Sequence, residues 1–222
     1  LAMMSHDLRT PLNAIGGYSE QLALGVRGPV NDAQLADLDR IRRNQRHLLN
    51  LVNDVLSFAR LETGEIPLNI APFNLSRTIG PLRAVIETQA AKRSIVYKFE
   101  PCDDSVVVSA DTERVEQVLI NLLGNAVKFT PDGGTLTMRC GVRDGMGFVE
   151  VEDSGIGIGQ DKLAVIFDPF VQVDANRGKR DGVGLGLSIS RKLARAMGGE
   201  VTVRSVQGKG STFALLLPLA PG

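Results

Sequence analysis

A chain of 222 residues with 43% hydrophobic content is long enough for one large or two modest domains with a real core. Its 25 basic residues balance its 25 acidic ones, so no strong field draws it to nucleic acid or to an anionic membrane. No apolar run approaches the ~20 residues of a membrane span, and Cys102 and Cys140, which lack metal-ligand spacing, read as two reduced thiols of a cytoplasmic chain.

The chain opens mid-pattern at Leu1-Ala2-Met3-Met4, as a helix cut from something longer and without signal-peptide form. Residues 1–26 are expected to be helical, with Leu8, Leu12, Ile15, Ser19 and Leu22 on one stripe. Within this helix lies Ser5-His6-Asp7-Leu8-Arg9-Thr10-Pro11-Leu12-Asn13. His6 and Thr10 are four residues apart and share a face, with Asp7 beside them. A neutral imidazole is a competent nucleophile, and a neighbouring carboxylate can hold its second ring proton. Pro11 removes the hydrogen bond back to Asp7 and favours a bend. Taken alone, a His-Asp pair on a polar face is more often solvated than reactive.

Gly25 to Pro29 break that helix, and Asn31 or Asp32 can cap a second one over 33–61. Leu38, Ile41, Leu48, Val52, Val55 and Ala59 form its seam, interrupted by Gln45 and widened by Leu35, Leu49, Leu51 and Leu56. A short connection makes the two helices an antiparallel hairpin. One hairpin cannot bury so broad an apolar face, whereas two packed as a four-helix bundle can, which predicts a homodimer.

The texture changes after 62–66, the expected hinge. Strands are predicted over 66–70, 95–99, 106–108, 135–142, 148–152, 201–205 and 212–217. Helices are predicted over 74–92 with a break at Gly80-Pro81, from an Asp111 cap to Phe129, and over 184–197 up to Gly198-Gly199. Strands interleaved with helices suggest an α/β sandwich.

Three features of this second half suit phosphate chemistry. Asn121, Asn125 and Lys128 fall on one helix face. Two amide carbonyls can ligate Mg2+ there, Lys128 can neutralise phosphate, and Phe129 can pack on a base. Asp153, at a strand end, can accept a hydrogen bond from an exocyclic amine, with Gly155 and Gly157 admitting a ligand ring. Gly182, Gly184, Leu185, Gly186 and Leu187 open a helix whose free N–H groups can cradle phosphate. The last pattern is neither a dinucleotide fingerprint nor a Walker loop, because no βαβ unit surrounds it and no Gly-Lys-Ser/Thr follows. Between the second and third features, Phe167-Asp168-Pro169-Phe170 precedes a long irregular stretch. There Arg177, Lys179 and Arg180 can reach a phosphate if the stretch closes as a lid, or can stay solvated. Gly208, Gly210 and Thr212 form a tight turn into a strand.

In this order and spacing, the pieces resemble the two-component sensor histidine kinases over essentially the whole chain. The His6 stretch is similar to that family's phospho-acceptor box, and Asn121, Asn125 and Lys128 to its asparagine box. Asp153 to Gly157 are similar to its first glycine box, Phe167 to Phe170 to its phenylalanine box, and the glycines at 182–186 and 208–210 to its later ones. The resemblance implies an α+β chain. A helical hairpin over 1–65 would form a dimeric four-helix bundle, followed over 66–222 by a Bergerat-type sandwich that binds ATP and Mg2+. It implies phosphorylation of His6 and transfer to a response-regulator receiver domain, with phosphatase activity toward that partner also within the family's range. Asp7 would be the acid/base partner, Thr10 would position water, Asn121 and Asn125 would hold Mg2+, and Asp153 would read adenine. Two positions depart from the pattern: Asp7 is glutamate in many relatives, and Val183 stands where a hydroxyl residue is common. An ATP-gated ATPase or a dimeric scaffold without histidine phosphorylation are the rival readings.

Overall fold

The computed structural model describes residues 2–63, 67–172 and 183–221, with the backbone alone for residues 2–6. Residues 64–66 of the expected hinge, Gly182, and the stretch with Arg177, Lys179 and Arg180 lie outside the described residues. The chain divides into two compact units, Leu1–Ile66 and Pro67–Gly222.

The first unit is the hairpin of α1 (Ala2–Ala23) and α2 (Asp32–Glu62). Asn31 starts α2 with a capping box: its side-chain oxygen accepts from the Gln34 amide, and its own amide donates to Gln34 Oε1, both at 2.9 Å. Arg9 donates twice to Asn53 Oδ1, Gly16 abuts Gln45, and Glu20 lies 4.0 Å from Arg42. These pairs run in opposite senses along the two helices, which makes the hairpin antiparallel. Gln45, the polar interruption of the seam, has a place because Gly16 has no side chain: a β-carbon at Gly16 would sit 3.1 Å from the Gln45 amide. Leu12, Ser19, Leu38 and Leu56 are buried between the helices, while Leu8, Ile15, Leu22, Ile41, Leu48 and Val55 remain 39–46% exposed.

The second unit begins with β1 (Ala71–Asn74), α3 (Leu75–Ile79), α4 (Leu82–Ala91), β2 (Val96–Glu100) and β3 (Val107–Ala110). It continues with α5 (Thr112–Phe129), β4 (Thr135–Arg143), β5 (Met146–Asp153), α6 (Gln160–Leu163), α7 (Gly186–Ala196), β6 (Glu200–Val206) and β7 (Gly210–Pro218). A five-stranded sheet has the order β2-β4-β5-β7-β6, with β2 parallel to β4 and the other pairs antiparallel; β1 and β3 form a separate pair. The Gly80-Pro81 break separates α3 from α4 as expected. Residues 67–70, however, carry no regular structure, and the strand starts at Ala71 instead. Pro72 is tolerated there because β1 pairs on one side only. The short helix α6 carried no readable periodicity over its four residues.

Alternation along the strands sorts the sheet into two faces. Leu136, Met138, Val149, Val151, Leu215 and Leu217 are inaccessible and pack beneath the helices. On the other face Glu150 is 1% exposed, ringed by Arg139 at 2.9 Å, Arg143 at 2.8 Å and Arg204 at 3.0 Å. Burial alone would raise the Glu150 carboxyl, but hydrogen bonds from Arg143 and Arg139 outweigh it and hold the group below its ordinary range. The two cysteines are not separate thiols. Parallel pairing sets Glu100 opposite Arg139, which brings Cys102 beside Cys140, and the two form a disulfide. Residues 38 positions apart meet only through that pairing, which no local spacing reveals.

Candidate functional site

Helix α5 is the spine of the site. Asp111 caps it, accepting from the Arg114 amide at 3.2 Å through Oδ1 and from the Asn69 amide at 2.9 Å through Oδ2. Val115, Val118, Leu119, Leu122, Leu123, Ala126 and Val127 are buried against the sheet. That packing leaves Asn121 and Asn125 half-buried and Lys128 exposed on the shared face. At the C-terminal end Arg93 donates to the carbonyls of Val127 and Lys128, satisfying groups that the helix itself cannot. Phe129 is 41% exposed, with the Lys128 ammonium 5.2 Å from its ring centre.

The first glycine loop leaves β5 at Asp153. That carboxylate is 7% exposed and accepts from the Gly155 amide at 2.8 Å. Burial raises its pKa, and the backbone hydrogen bonds from Gly155 and Ser211 offset this only in part. Gly155 presses on the end of α5, where a β-carbon would come within 2.6 Å of the Phe129 carbonyl oxygen. Gly157 has φ of +63° and lies against the Val206 carbonyl. The loop is tied to the β6–β7 turn: the Gly208 amide donates to the Ile156 carbonyl at 2.7 Å, and the Ile158 amide to Ser205 Oγ at 2.8 Å.

Helix α7 closes the group. Its N-terminus, with Leu185 buried at the cap position, sits on α5 so that a β-carbon at Gly186 would fall 2.4 Å from Asn121 Oδ1. Leu187 is half-buried in its first turn. The Phe170 amide donates to the Gly184 carbonyl at 3.0 Å, so the two flanks of residues 173–182 meet. Phe167 lies under the Arg191 guanidinium at 4.6 Å, and Arg191 is paired in turn with Glu200 at 2.8 Å.

The structure thus gathers Asn121, Phe129, Asp153, Gly155, Gly157, Gly184, Gly186, Gly208 and Gly210 around α5, two glycine turns and the start of α7. Thr212 is not part of that group. Ser211 is the residue paired with Asp153, and strand alternation turns Thr212 to the opposite face, between Glu152 and Arg204. Ser211 is 7% exposed, with its hydroxyl 2.9 Å from that of Ser205. The single-residue choice between the two hydroxyls depends on register, which the sequence does not carry. In the other unit His6, Asp7 and Thr10 lie on α1, which runs through Pro11. Asp7 and Thr10 are exposed, and the His6 side chain lies outside the described atoms.

Residues 110–221 match the family described as Histidine kinase-, DNA gyrase B-, and HSP90-like ATPase, and residues 1–64 match the His Kinase A (phospho-acceptor) domain. The sensor protein TorS of Escherichia coli is 40% identical over 222 residues, covering 99% of this chain and 24% of that protein. An uncharacterised sensor-like histidine kinase of Rhizobium meliloti is 38% identical over 220 residues, covering 98% of this chain and 42% of its own length. The autoinducer 2 sensor kinase/phosphatase LuxQ of Vibrio parahaemolyticus is 36% identical over 226 residues, with 99% and 26% covered. Full-length ShkA in complex with AMPPNP superposes with a TM-score of 0.84 at 34% identity, over 100% of this chain and 46% of that one. The nucleotide-free catalytic domain of histidine kinase ThkA has a TM-score of 0.59 at 31% identity, over 68% of this chain and 95% of that one. The chain spans less than half the length of these curated relatives.

Proposed function

The chain belongs to the histidine kinases, with a phospho-acceptor domain and an ATP-binding domain, and on that premise we propose that it phosphorylates itself on His6 and passes the group to an aspartate of a response-regulator receiver domain. The observation that carries this reading is the joint presence of both domains in one chain, with His6 on α1 of the first. Residues 1–65 serve dimerisation and phosphotransfer, and residues 66–222 bind ATP. The exposed residues Leu8, Ile15 and Leu22 of α1, and Ile41, Leu48 and Val55 of α2, recur every seven residues. That regular apolar face supports a homodimeric four-helix bundle.

A ring nitrogen of His6 attacks the γ-phosphorus of ATP in line. The nitrogen–phosphorus bond forms as the bond to the β,γ-bridging oxygen breaks, and ADP leaves. Asp7 holds the proton on the other ring nitrogen and stabilises the charge that develops on the imidazole. Asp153, when ionised, accepts from the adenine amine, and Phe129 packs on the base. The amides at the start of α7 and the Lys128 ammonium meet the phosphates. Asn121 and Asn125 offer two neutral oxygen donors on one half-buried face. Among the described residues no cluster of three His, Cys, Asp or Glu able to hold a metal is present. The two amide oxygens fit Mg2+: Asn121 and Asn125 would hold it, and when bound it would neutralise phosphate charge. In the reverse mode, Thr10 positions the water that hydrolyses the partner's aspartyl phosphate, a reading supported by the likeness to LuxQ, a sensor kinase/phosphatase.

Incubation with Mg·ATP labelled at the γ position tests the reading. Acid-labile, base-stable label is expected on the wild-type chain and none on His6→Gln; equal labelling of the two removes His6 as the acceptor.

A further inference from the structure

We propose that Ser190 is a positioning residue that fixes which end of the Asn121 amide faces the nucleotide's metal. The proposal rests on the assignment of Asn121 as a Mg2+ ligand. An asparagine amide has two chemically opposite ends: Oδ1 can ligate a hard cation, and the Nδ2 hydrogens repel one. Rotation by half a turn about its last bond exchanges them. At Asn121 the two ends are distinguished by a hydrogen bond to α7. Nδ2 donates to Ser190 Oγ at 2.9 Å, and the amide lies so close to Gly186, oxygen end nearest, that a side chain there would meet it.

Gly186 and Ser190 stand four residues apart on one helix face, so Gly186 leaves room for the amide and Ser190 supplies the hydrogen bond that sets its orientation. Ser190 is 2% exposed, which shields the bond from competition by water. The bond spans 69 residues and joins the metal-facing helix α5 to the phosphate-facing helix α7. Ser188, on the same helix, donates its hydroxyl to the Leu185 carbonyl at 2.8 Å, within its own turn. The hydroxyl of Ser190 is buried against Asn121. It acts through Asn121, as an outer hydrogen-bond partner orients a ligand.

The test compares wild type, Ser190→Ala, Ser190→Thr, Asn121→Ala and the Asn121→Ala/Ser190→Ala double variant. Binding of ATP is measured by calorimetry with and without Mg2+. For Ser190→Ala the Mg2+ concentration that half-maximally tightens ATP binding rises roughly tenfold, while metal-free ATP binding stays within about twofold. Ser190→Thr, which keeps the hydroxyl, restores the wild-type Mg2+ titration. The double variant behaves as Asn121→Ala alone, because the serine has nothing left to orient. In the ligand-free chain, the Asn121 side-chain amide proton signals shift and exchange faster with solvent in Ser190→Ala. An unchanged Mg2+ titration in Ser190→Ala, or a serine penalty that adds in full to Asn121→Ala, overturns the proposal and leaves the kinase reading standing. A wild-type chain that binds ATP without any Mg2+ dependence overturns both the proposal and the metal assignment beneath it.

Discussion

The two units of this chain solve the burial problem differently. The α/β unit is closed on itself: Leu75, Leu119, Leu122, Leu123, Leu136, Met138 and Leu215 are all but inaccessible within one chain. The hairpin buries Leu12, Ser19, Leu38 and Leu56 and leaves a second seam in water. A unit that completes its own core can carry a pocket whose geometry is set in advance. A unit that leaves one face open has a strong reason to recruit a second copy, and the setting of His6, the proposed acceptor, then depends on that assembly.

The sharpest way to break this contrast is a charge in the open seam. Leu48→Glu places one carboxylate per subunit at the centre of the proposed bundle, where burial without a partner is unfavourable by several kcal/mol. The dimer is expected to weaken by about a thousandfold or more, read by light scattering across a dilution series. The ATP-induced rise in melting temperature of the α/β unit should persist. Loss of that rise along with the dimer would show that the pocket is not self-contained.

The second effect runs the other way. Asn125→Ala is expected to remove Mg2+-dependent nucleotide binding, a drop of roughly a hundredfold, by analogy with the loss of a ligand or its support, while the helical dimer remains intact by sedimentation. Dissociation of the dimer in this variant would contradict the division at residues 65 and 66.

The smallest effect sharpens the account of the pocket itself. Burial raises the Asp153 carboxyl above its ordinary value. Protonation therefore favours the fold: the contribution is fully present below the unfolded carboxylate pKa and is lost as pH rises through the folded value. At neutral pH the ionised group is a burden that the free protein carries for its ligand. Asp153→Asn is expected to leave the ligand-free melting temperature unchanged or to raise it by about 1–3 °C, and to abolish the further rise on adding ATP. Wild-type ATP affinity should begin to fall, as pH is lowered, at a higher pH than an ordinary aspartate would give. A marked drop in the ligand-free melting temperature would instead make Asp153 a structural carboxylate.

Local features were legible where the physics is local. The Asp111 cap and the end of α5 at Phe129, the break at Gly80-Pro81 and the Asn31 cap of α2 each depend on a few neighbouring residues, and the structure has them at those places. The shared face of Asn121, Asn125 and Lys128 follows from helical spacing alone. Register was not legible. The strand expected over 66–70 starts at Ala71, and Ser211 is paired with Asp153 while Thr212 is paired with Glu152, because hydrophobic alternation does not say which of two adjacent residues pairs where.

The residue pattern by itself determined the long helices α1, α2, α5 and α7 and the caps at Asn31 and Asp111, since these follow from periodicity and side-chain chemistry within a turn or two of chain. Only the tertiary structure decided that Cys102 meets Cys140, that three arginines cover Glu150, and that Ser190 grips Asn121. Each of those contacts joins residues brought together by strand pairing or helix docking, and a short-range pattern carries no signal of a partner that lies far along the chain.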